Sequence, residues 1–297
     1  MNRLDGLSVH DLKVLATLAD MLHFGRTADA LGVSQPTVSA AVGKFEAIVG
    51  FECFFRTSRR CQVTPRGMSV LAHVRTILSE VQFLYSEFES ETLTGVLRLG
   101  LIPTIAPFFL PHVVQPLREE FPGLAIYFTE GFTERLLDEV WTHQLDAAIV
   151  SSFAKKPNLE RILLLREPLD ILLPCEHPLA RLEQVPWESL QPDELLLLDR
   201  GNCLRDQALR LCDLDSGYEH KTHTTSLATL FYLVASRAGY AVIPRMACGA
   251  ALQAPGTVIR PFVEERTRDV FLVFRSADRR RTHFKALALV LGSGRIS

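Results

Sequence analysis

The sequence predicts an α/β protein with an all-α N-terminal head, built as a winged helix-turn-helix, and a larger two-lobed C-terminal domain with doubly wound sheets. Three observations support this fold class. Helical periodicity fills residues 8–49, and a β-prone hairpin follows at residues 53–63. A long amphipathic stretch comes next, and beyond it short apolar strands alternate with helical segments. We place the head at residues 1–64, a connecting helix at 65–92 and the C-terminal domain at 93–297.

The composition is that of an ordinary globular protein, with 47% hydrophobic residues, 22% charged residues and a net charge of −2. The longest apolar stretch, residues 99–117, contains four prolines, which argues against a membrane span. No charged-then-apolar leader opens the chain, and its six cysteines lack the density of a disulfide scaffold. We therefore expect a cytoplasmic protein without membrane association. Residues 1–75 carry nine Lys/Arg against six Asp/Glu, a weak indication of nucleic-acid binding.

Three helices are predicted in the head. In the first, apolar residues recur at helical spacing from residue 8 to residue 21. The second runs through GRTADAL and ends at Gly32. Ser34 is placed to cap the third helix, and Pro36 fits its first turn, where no amide donor is needed. The short link between the second and third helices has helix-turn-helix length, although a small helical bundle without a ligand is the alternative.

A longer helix is predicted from Thr64 to about residue 90. Its apolar stripe includes Met68, Leu71, Val74 and Ile77. A stripe of this length needs a surface to bury it, and a second copy of the same helix would provide one.

The C-terminal domain is predicted to alternate strands and helices through residues 96–151. Residues 161–173 then form a strand that crosses into a second lobe. Helix 227–236 and strand 240–243 belong to that lobe, and residues 258–274 return to the first.

The segment 202–212, NCLRDQALRLC, places two cysteines nine residues apart on a predicted helix. In an unbroken helix the Cα atoms of Cys203 and Cys212 would stand about 13.5 Å apart, whereas a disulfide needs roughly 4.4–6.8 Å. A bond between them would unfold the segment, so the pair could act as a redox switch. Buried, incidental cysteines are the plain alternative. A metal site is another, although its spacing misses that of structural zinc sites; it would comprise Cys203, Cys212, His220 and His223.

Three strings resemble the LysR-type transcriptional regulators, and one of them resembles their peroxide-sensing OxyR branch. RTADALGVSQPTVSAAVGKFE is similar to the DNA-reading head of the family, and RTSRRCQVTPRG is similar to its wing. CLRDQA, followed by a second cysteine and by Thr225-Ser226-Leu227, resembles the OxyR sensors. The resemblance covers nearly the whole chain. It implies a two-lobed effector domain like that of periplasmic binding proteins, with a cleft between the lobes.

The resemblance to the reading head implies contacts with double-stranded promoter DNA. The N-terminal half of the third helix would enter the major groove, and the wing would grip phosphates. The residues expected to contact DNA are Ser34, Gln35, Pro36, Thr37, Ser39 and Lys44 in the helix and Arg56, Arg59 and Arg60 in the wing. Gly43 departs from the family, whose peroxide sensors usually place an arginine there. A solvated basic turn is the alternative for the wing.

The resemblance to the sensors implies that hydrogen peroxide oxidises Cys203 to a sulfenic acid, which Cys212 then traps as a disulfide. Thr104 and Thr133 would hold the peroxide at strand ends, near helix N-termini. No metal or other cofactor is expected.

The environment of the thiolate would be completed by Asn202, Arg205, Asp206 and Arg275. Arg205 and the positive end of the helix would favour the thiolate. Asn202 departs from the family pattern, which has histidine before the reactive cysteine, and asparagine carries no titratable proton.

The same resemblance implies a homodimer formed through helix 65–92, a homotetramer built as a dimer of dimers, and contact with RNA polymerase. The expected function is that of a DNA-binding regulator, not an enzyme, which senses hydrogen peroxide and controls antioxidant genes. A regulator that binds a small metabolite in the interlobe cleft is the first alternative. A thiol peroxidase is the second, although a catalyst needs neither a reading head nor a connecting helix. The head and the missing leader argue against a free solute-binding protein.

Overall fold

The structure, a computed structural model, describes residues 6–56, 61–86, 93–152, 156–211 and 222–293. These residues form two compact units, the first made mainly of residues before 91 and the second mainly of residues from 92 onward. Within the described ranges, no helix combines the length and the apolar character needed to cross a membrane. The fold class expected from the sequence is confirmed, since a helical head precedes a mixed α/β domain.

The head contains three short helices, a β-hairpin and one long helix. In chain order these are α1 (Val9–Met21), α2 (Phe24–Leu31), α3 (Gln35–Val49), β1 (Phe54–Arg56), β2 (Cys61–Val63) and α4 (Pro65–Ser86). β1 and β2 pair antiparallel, as the predicted wing requires. The buried apolar side chains of this unit form one cluster, supplied largely by α1 and α3, which includes Leu12, Val14, Leu15, Leu18, Val38, Val42 and Phe45.

The helix boundaries of the head follow from capping residues. Ser8 and Asp11 form a capping box at the start of α1. The Ser34 side chain accepts a hydrogen bond from the Thr37 amide at the start of α3. Gly32 ends α2 in the left-handed conformation, at φ 65°, where glycine meets no steric penalty. The predicted helix-turn-helix is therefore confirmed.

The apolar stripe of α4 is partly buried in the head and partly exposed. Leu71 and Val74 are buried in the apolar cluster of the head. Met68 and Ile77 are 56% and 46% exposed. The expectation that a second copy buries the whole stripe is therefore wrong for Leu71 and Val74, because their own chain already covers them.

The second unit alternates strands and helices. Its elements are β3 (Gly95–Leu101), α5 (Ala106–Glu120), β4 (Leu124–Glu130), α6 (Thr133–Trp141), β5 (Ala147–Val150), β6 (Leu159–Pro174), β7 (Leu197–Leu198), α7 (Cys203–Leu211), β8 (His223–Thr224), α8 (Leu227–Ala235), β9 (Ala241–Pro244), α9 (Cys248–Ala251), β10 (Thr257–Arg275) and α10 (Arg281–Ser293). A short 3-10 turn, Arg245–Ala247, separates β9 from α9. The alternation predicted from residue 96 onward is confirmed, whereas the sequence pattern did not predict α10.

Six strands form one mixed sheet in the order β4-β3-β5-β10-β6-β9. β3 lies between β4 and β5 and runs parallel to both, which is the arrangement of a doubly wound sheet. β6 and β10 are the longest strands and pair antiparallel along most of their length. Their register shifts between Pro261 and Arg266, where a bulge interrupts the pairing. The two long strands therefore run through both lobes and connect them.

Two apolar clusters divide this unit into the two predicted lobes. The first surrounds β3, β5 and α5 and includes Phe109, and the second surrounds β9 and α8 and includes Tyr240. Helix α7 supplies side chains to both. Cys203 belongs to the first cluster, whereas the second receives Leu204, Ala208 and Leu209. The N-terminus of α7 therefore lies at the junction of the two lobes.

Candidate functional site

Three parallel strands end beside one another, and each is followed by a hydroxyl side chain. Thr133 follows β4, Thr104 follows β3 and Ser151 follows β5, in the order in which the strands lie in the sheet. All three residues are buried. Thr133 is linked to this edge by a long contact of 3.5 Å between its hydroxyl and that of Ser152. Thr104 and Thr133 thus lie at the carboxyl edge of the sheet, where folds of this kind bind ligands.

Cys203 meets this edge as the first residue of α7 and is only 5% exposed. Asn202 precedes it and caps the helix, because its Oδ1 accepts a hydrogen bond from the Leu204 amide at 3.1 Å. Asn202 is itself buried. Its oxygen therefore anchors the start of the helix that presents Cys203.

Ser151 connects the sheet edge to α7. Its hydroxyl lowers the pKa of the Cys203 thiol through a side-chain hydrogen bond, and it accepts a bond from Nε2 of Gln207 at 3.0 Å. Nε2 of Gln207 also donates to the Ser151 carbonyl at 3.3 Å. The Oε1 atom of Gln207 is buried and has no hydrogen-bond partner within the described part of the chain. An unpaired buried acceptor in this cluster suits a small ligand that can donate a hydrogen bond.

A buried arginine joins Thr104 to the site. Arg268, on β10, donates from Nη1 to the Thr104 hydroxyl at 3.1 Å and from Nη2 to the Thr104 carbonyl at 3.0 Å. Its Nε donates to Oε2 of Glu167, on β6, at 2.7 Å. The positive charge of Arg268 also acts on the Cys203 thiol. Arg268 is therefore the cation of this site.

Burial raises the pKa of the Cys203 thiol above its ordinary value, and the Asp206 carboxylate adds to this effect. Three groups act in the opposite direction: the charge of Arg268, the backbone amide of Cys203 itself and the Ser151 hydroxyl. The expected stabilisation of the thiolate at the helix terminus is therefore outweighed by burial. Arg268 and Ser151 are the groups of this site that favour the Cys203 thiolate when it forms.

Arg205, which was predicted to lie beside the sulfur, is buried, and its Nη1 donates to the Leu198 carbonyl at 3.2 Å. This bond connects α7 to β7. Asp206 is exposed on the same turn of the helix.

The prediction that Arg275 assists the thiolate is corrected by its placement. Nη1 of Arg275 donates to the carbonyls of Val140 and Leu145 at 2.7 and 2.8 Å, and Nη2 pairs with Asp278 at 2.9 Å. These contacts tie the end of β10 to the end of α6. Arg268, on the same strand, supplies the cation that was expected from Arg275.

The partner predicted for Cys203 lies outside the described residues, because these exclude Cys212. The same holds for His220 of the alternative metal site, while the Nδ1 atom of His223 pairs with Asp199. Within the ranges given above, no group of three or more histidine, cysteine or acidic side chains is arranged to hold a metal ion. Among the other described cysteines, Cys175 is an exposed free thiol.

In the head, the structure exposes the polar side chains at the start of α3. Gln35, Pro36 and Thr37 are exposed, and Ser39 is half-buried. The hydroxyls of Ser34 and Thr37 bond to each other at 2.8 Å. The residues predicted to read DNA therefore share the first turns of one helix.

Two of the predicted phosphate contacts are engaged within the head. Nζ of Lys44 pairs with Oδ2 of Asp11 at 2.8 Å, and Nη2 of Arg56 pairs with Oε2 of Glu46 at 2.5 Å. Both cations thus hold elements of the head together, because each already has a carboxylate partner. The remaining wing candidates lie outside the described residues and are Arg59 and Arg60.

Sequence reasoning missed Ser151, Gln207 and Arg268. Ser151 follows β5 as Thr104 follows β3, so the rule that located Thr104 would have located it as well. Gln207 stands four residues after Cys203, a spacing that places both on one side of a helix. Arg268 carries no such signal, because strand pairing brings it to Thr104 from 164 residues away.

Comparison with known protein families matches both units of the chain. Residues 9–68 match the bacterial regulatory helix-turn-helix protein, lysR family. Residues 90–293 match the LysR substrate binding domain.

Individual relatives match over nearly the whole length. The DNA-binding transcriptional dual regulator OxyR of Escherichia coli (strain K12) is 36% identical over 287 residues, covering 95% of this chain and 94% of that protein. A full-length OxyR variant from Pseudomonas aeruginosa has a similar solved structure, with a TM-score of 0.86, 30% identity, and coverage of 98% and 96%. An OxyR mutant from Corynebacterium glutamicum, solved with H2O2 bound, has a TM-score of 0.68, 30% identity, and coverage of 97% and 92%.

The contact between Ser151 and Cys203 predicts how fast the thiol is alkylated. With iodoacetamide at neutral pH, Cys203 should react more slowly than the exposed Cys175, because burial limits access and raises the pKa of Cys203. Ser151→Ala should slow the alkylation of Cys203 by about threefold to tenfold, since one hydrogen bond contributes ~0.5–1.5 kcal/mol. Ser152→Ala is the matched control and should leave the rate unchanged. Mass spectrometry of the two cysteine peptides measures both rates, and equal rates in Ser151→Ala and the unsubstituted protein would contradict the assignment.

Proposed function

Because the chain belongs to the LysR family of bacterial regulators, we propose that it is a DNA-binding transcription regulator that senses hydrogen peroxide through Cys203. The observation that carries this proposal is the buried Cys203 thiol at the carboxyl edge of the sheet, where the Arg268 charge and the Ser151 hydroxyl both lower its pKa. A regulator that only binds a metabolite needs no thiol at this junction. The relatives named for OxyR, one solved with H2O2 bound, support the effector. The protein would act in the cytoplasm, without a cofactor and not as an enzyme.

Oxidation begins when Cys203 loses its proton and the sulfur attacks one oxygen of H2O2. The S–O bond forms as the O–O bond breaks, and the leaving hydroxide takes up the proton to become water. Cys203 is then a sulfenic acid. Arg268 and Ser151 stabilise the thiolate that must form, while Oε1 of Gln207 offers an acceptor for a peroxide hydrogen. Cys212 then attacks the oxidised sulfur, a second water leaves, and a disulfide closes.

Helix α7 prevents this disulfide while it is intact. Its nine residues begin at Cys203 and end at Leu211, and eight rises of ~1.5 Å separate those two Cα atoms by about 12 Å. A helix that continued to Cys212 would separate its Cα atom from that of Cys203 by about 13.5 Å. A disulfide requires roughly 4.4–6.8 Å. Oxidation must therefore unwind part of α7.

Unwinding α7 removes contacts on both sides of the lobe junction. Leu204 and Leu209 would leave the second apolar cluster, and each buried leucine contributes about 1.5–3 kcal/mol. Arg205 would release its carbonyl on β7, and Gln207 would release Ser151. Oxidation of one sulfur atom would thereby change the packing of both lobes, which gives a regulator two distinct states.

The switch predicts different fates for the two cysteines. Under dilute peroxide, a non-reducing peptide map should show a disulfide between Cys203 and Cys212. Cys212→Ser should accumulate the sulfenic acid on Cys203, because no resolving thiol remains. Cys203→Ser should form no disulfide in this segment. Cys175→Ser is the control, since that thiol is exposed and lies outside the site, and it should behave like the unsubstituted protein.

DNA binding measured on the same samples decides what the disulfide does. We expect the footprint on promoter DNA to change on oxidation and to stay unchanged in Cys203→Ser. If the disulfide forms readily but the footprint does not change, peroxide sensing is contradicted and the metabolite-binding regulator is favoured instead. Continuous turnover of peroxide with a thiol reductant, without any effect on DNA, would favour a thiol peroxidase.

For DNA recognition we propose that the first turns of α3 read bases and that the wing binds phosphates. Gln35→Ala should relax specificity at one or two base pairs, because an amide can bond a base edge through two atoms. Arg59→Ala should weaken binding to all sequences and lower the salt dependence by about one unit. Titrations of specific and unrelated DNA at several salt concentrations distinguish the two effects. Equal, sequence-independent losses in both variants would show that α3 is not the reading helix.

We also propose that the exposed part of the α4 stripe forms a homodimer, which pairs further into a tetramer, and that the regulator contacts RNA polymerase. Ile77→Asp should weaken the dimer and leave the head folded, because Ile77 is exposed in the single chain. Leu71→Asp should instead unfold the head, since it places a charge inside the apolar cluster. Sedimentation and thermal unfolding separate the two outcomes. An unchanged oligomer in Ile77→Asp would remove α4 as the interface.

A further inference from the structure

Glu167 is a buried carboxylate that the peroxide chemistry above does not use. It is 2% exposed and lies on β6, directly opposite Arg268 of β10 in the strand register. Its Oε2 accepts a hydrogen bond from Nε of Arg268 at 2.7 Å and lies 2.7 Å from Nη2 of the same guanidinium. Removing two charges from water carries a desolvation cost that offsets their attraction, so such a pair is weak evidence for stability alone. Another role must therefore be sought in what the pair holds in place.

The three nitrogen atoms of an arginine guanidinium group have fixed positions relative to one another. A guanidinium is planar and rigid, so a bond that fixes Nε also fixes the directions of Nη1 and Nη2. In Arg268 those two atoms contact the hydroxyl and the carbonyl of Thr104. Glu167 therefore determines how Arg268 faces Thr104. Because the Thr104 oxygen accepts from Arg268, its own hydrogen is left to donate elsewhere.

The second oxygen of Glu167 is also occupied. Oε1 accepts a hydrogen bond at 2.8 Å from the amide of Met246, in the 3-10 turn Arg245–Ala247. The side chain of Ala247, in the same turn, belongs to the second apolar cluster. The carboxylate is thus held from both sides, by the cation of the site and by the backbone of the other lobe.

We propose that Glu167 is a positioning residue for the oxidation of Cys203, which holds Arg268 toward Thr104 and the sulfur. This inference rests on the proposed peroxide chemistry. Glu167 touches neither the sulfur nor the peroxide and acts through Arg268. Its two oxygens also make the orientation of Arg268 depend on the second lobe.

Loss of the Glu167 charge and loss of the Arg268 orientation should have different effects on the alkylation of Cys203 and on its reaction with peroxide. Comparing the two rates therefore tests the proposal. Glu167→Gln removes the negative charge beside Arg268, so the unbalanced cation should favour the thiolate and speed alkylation of Cys203. The same change disturbs the guanidinium, so reaction with peroxide should slow by at least about tenfold. Glu167→Asp keeps the charge, but its side chain is one methylene shorter. It should therefore slow the reaction of Cys203 with peroxide and leave the alkylation rate close to that of the unsubstituted protein. A purely structural role would leave both rates unchanged in the folded protein.

Asp278→Asn is the matched control. The Asp278 side chain is 6% exposed, and its Oδ2 lies 2.9 Å from Nη2 of Arg275 and 2.9 Å from Nη2 of Arg280. The substitution therefore removes a buried carboxylate that pairs with arginine but is not the partner of Arg268. The rate at which this variant reacts with peroxide should stay near that of the unsubstituted protein.

The full-length variants are treated with hydrogen peroxide, quenched at short times and mapped by mass spectrometry, beside iodoacetamide alkylation across pH. Slow peroxide reaction in both Glu167 variants, with alkylation maintained or faster, supports the positioning role. The positioning role would be overturned if both Glu167 variants reacted with peroxide as fast as the unsubstituted protein, or if Asp278→Asn slowed this reaction equally. If Cys203 of the unsubstituted protein does not react with peroxide at all, the proposed function fails instead.

Discussion

An intact helix at residues 203–211 is incompatible with the proposed disulfide between Cys203 and Cys212, and the proposed switch depends on this constraint. α7 carries Cys203 at its first position and spans Cys203–Leu211. Its eight rises of ~1.5 Å separate the Cα atoms of Cys203 and Leu211 by about 12 Å, whereas a disulfide needs roughly 4.4–6.8 Å. In the proposed switch the reduced protein keeps the helix, and a disulfide between Cys203 and Cys212 would unwind part of it. Two such incompatible arrangements of one segment are what a switch requires.

In the reduced protein, α7 is held by contacts that oxidation of Cys203 would disturb. Asn202 caps its start, Arg205 bonds to β7, and Gln207 bonds to Ser151. Its apolar side chains are shared between two clusters. Unwinding that reached the start of α7 would disturb these contacts together. The proposed change would therefore alter the packing of both lobes.

The burial of Cys203 has a second consequence. Burial limits access to the Cys203 sulfur, so a small ligand should reach it more readily than a large electrophile. The Arg268 charge and the Ser151 hydroxyl lower the pKa of this thiol. In the proposed reaction, selectivity would come from access to the sulfur and from the orientation of these two groups.

Local signals account for most of what the sequence predicted. Ser34 caps α3 and Thr104 follows β3, and both rules depend on a few neighbouring residues. Long-range packing decided the rest. Leu71 and Ile77 fit the same helical stripe, yet only Leu71 is covered by the head.

The two arginines of β10 show the same limit. Arg268 and Arg275 lie seven residues apart on one strand, and nothing in the local sequence tells which one reaches the cysteine. The choice follows from the register of β10 against β6, which places Arg268 opposite Glu167 and includes a bulge. A register set over long strands cannot be read from short motifs.

Hydrogen exchange across α7 tests the central claim most directly. Amides within residues 203–211 of the full-length protein are followed by mass spectrometry before and after dilute peroxide, with Cys203→Ser treated in parallel. We expect slow exchange in the reduced protein, fast exchange once the disulfide has formed, and no change in Cys203→Ser, because an unwound helix loses its backbone hydrogen bonds. A disulfide between Cys203 and Cys212 with α7 still protected from exchange would contradict this account.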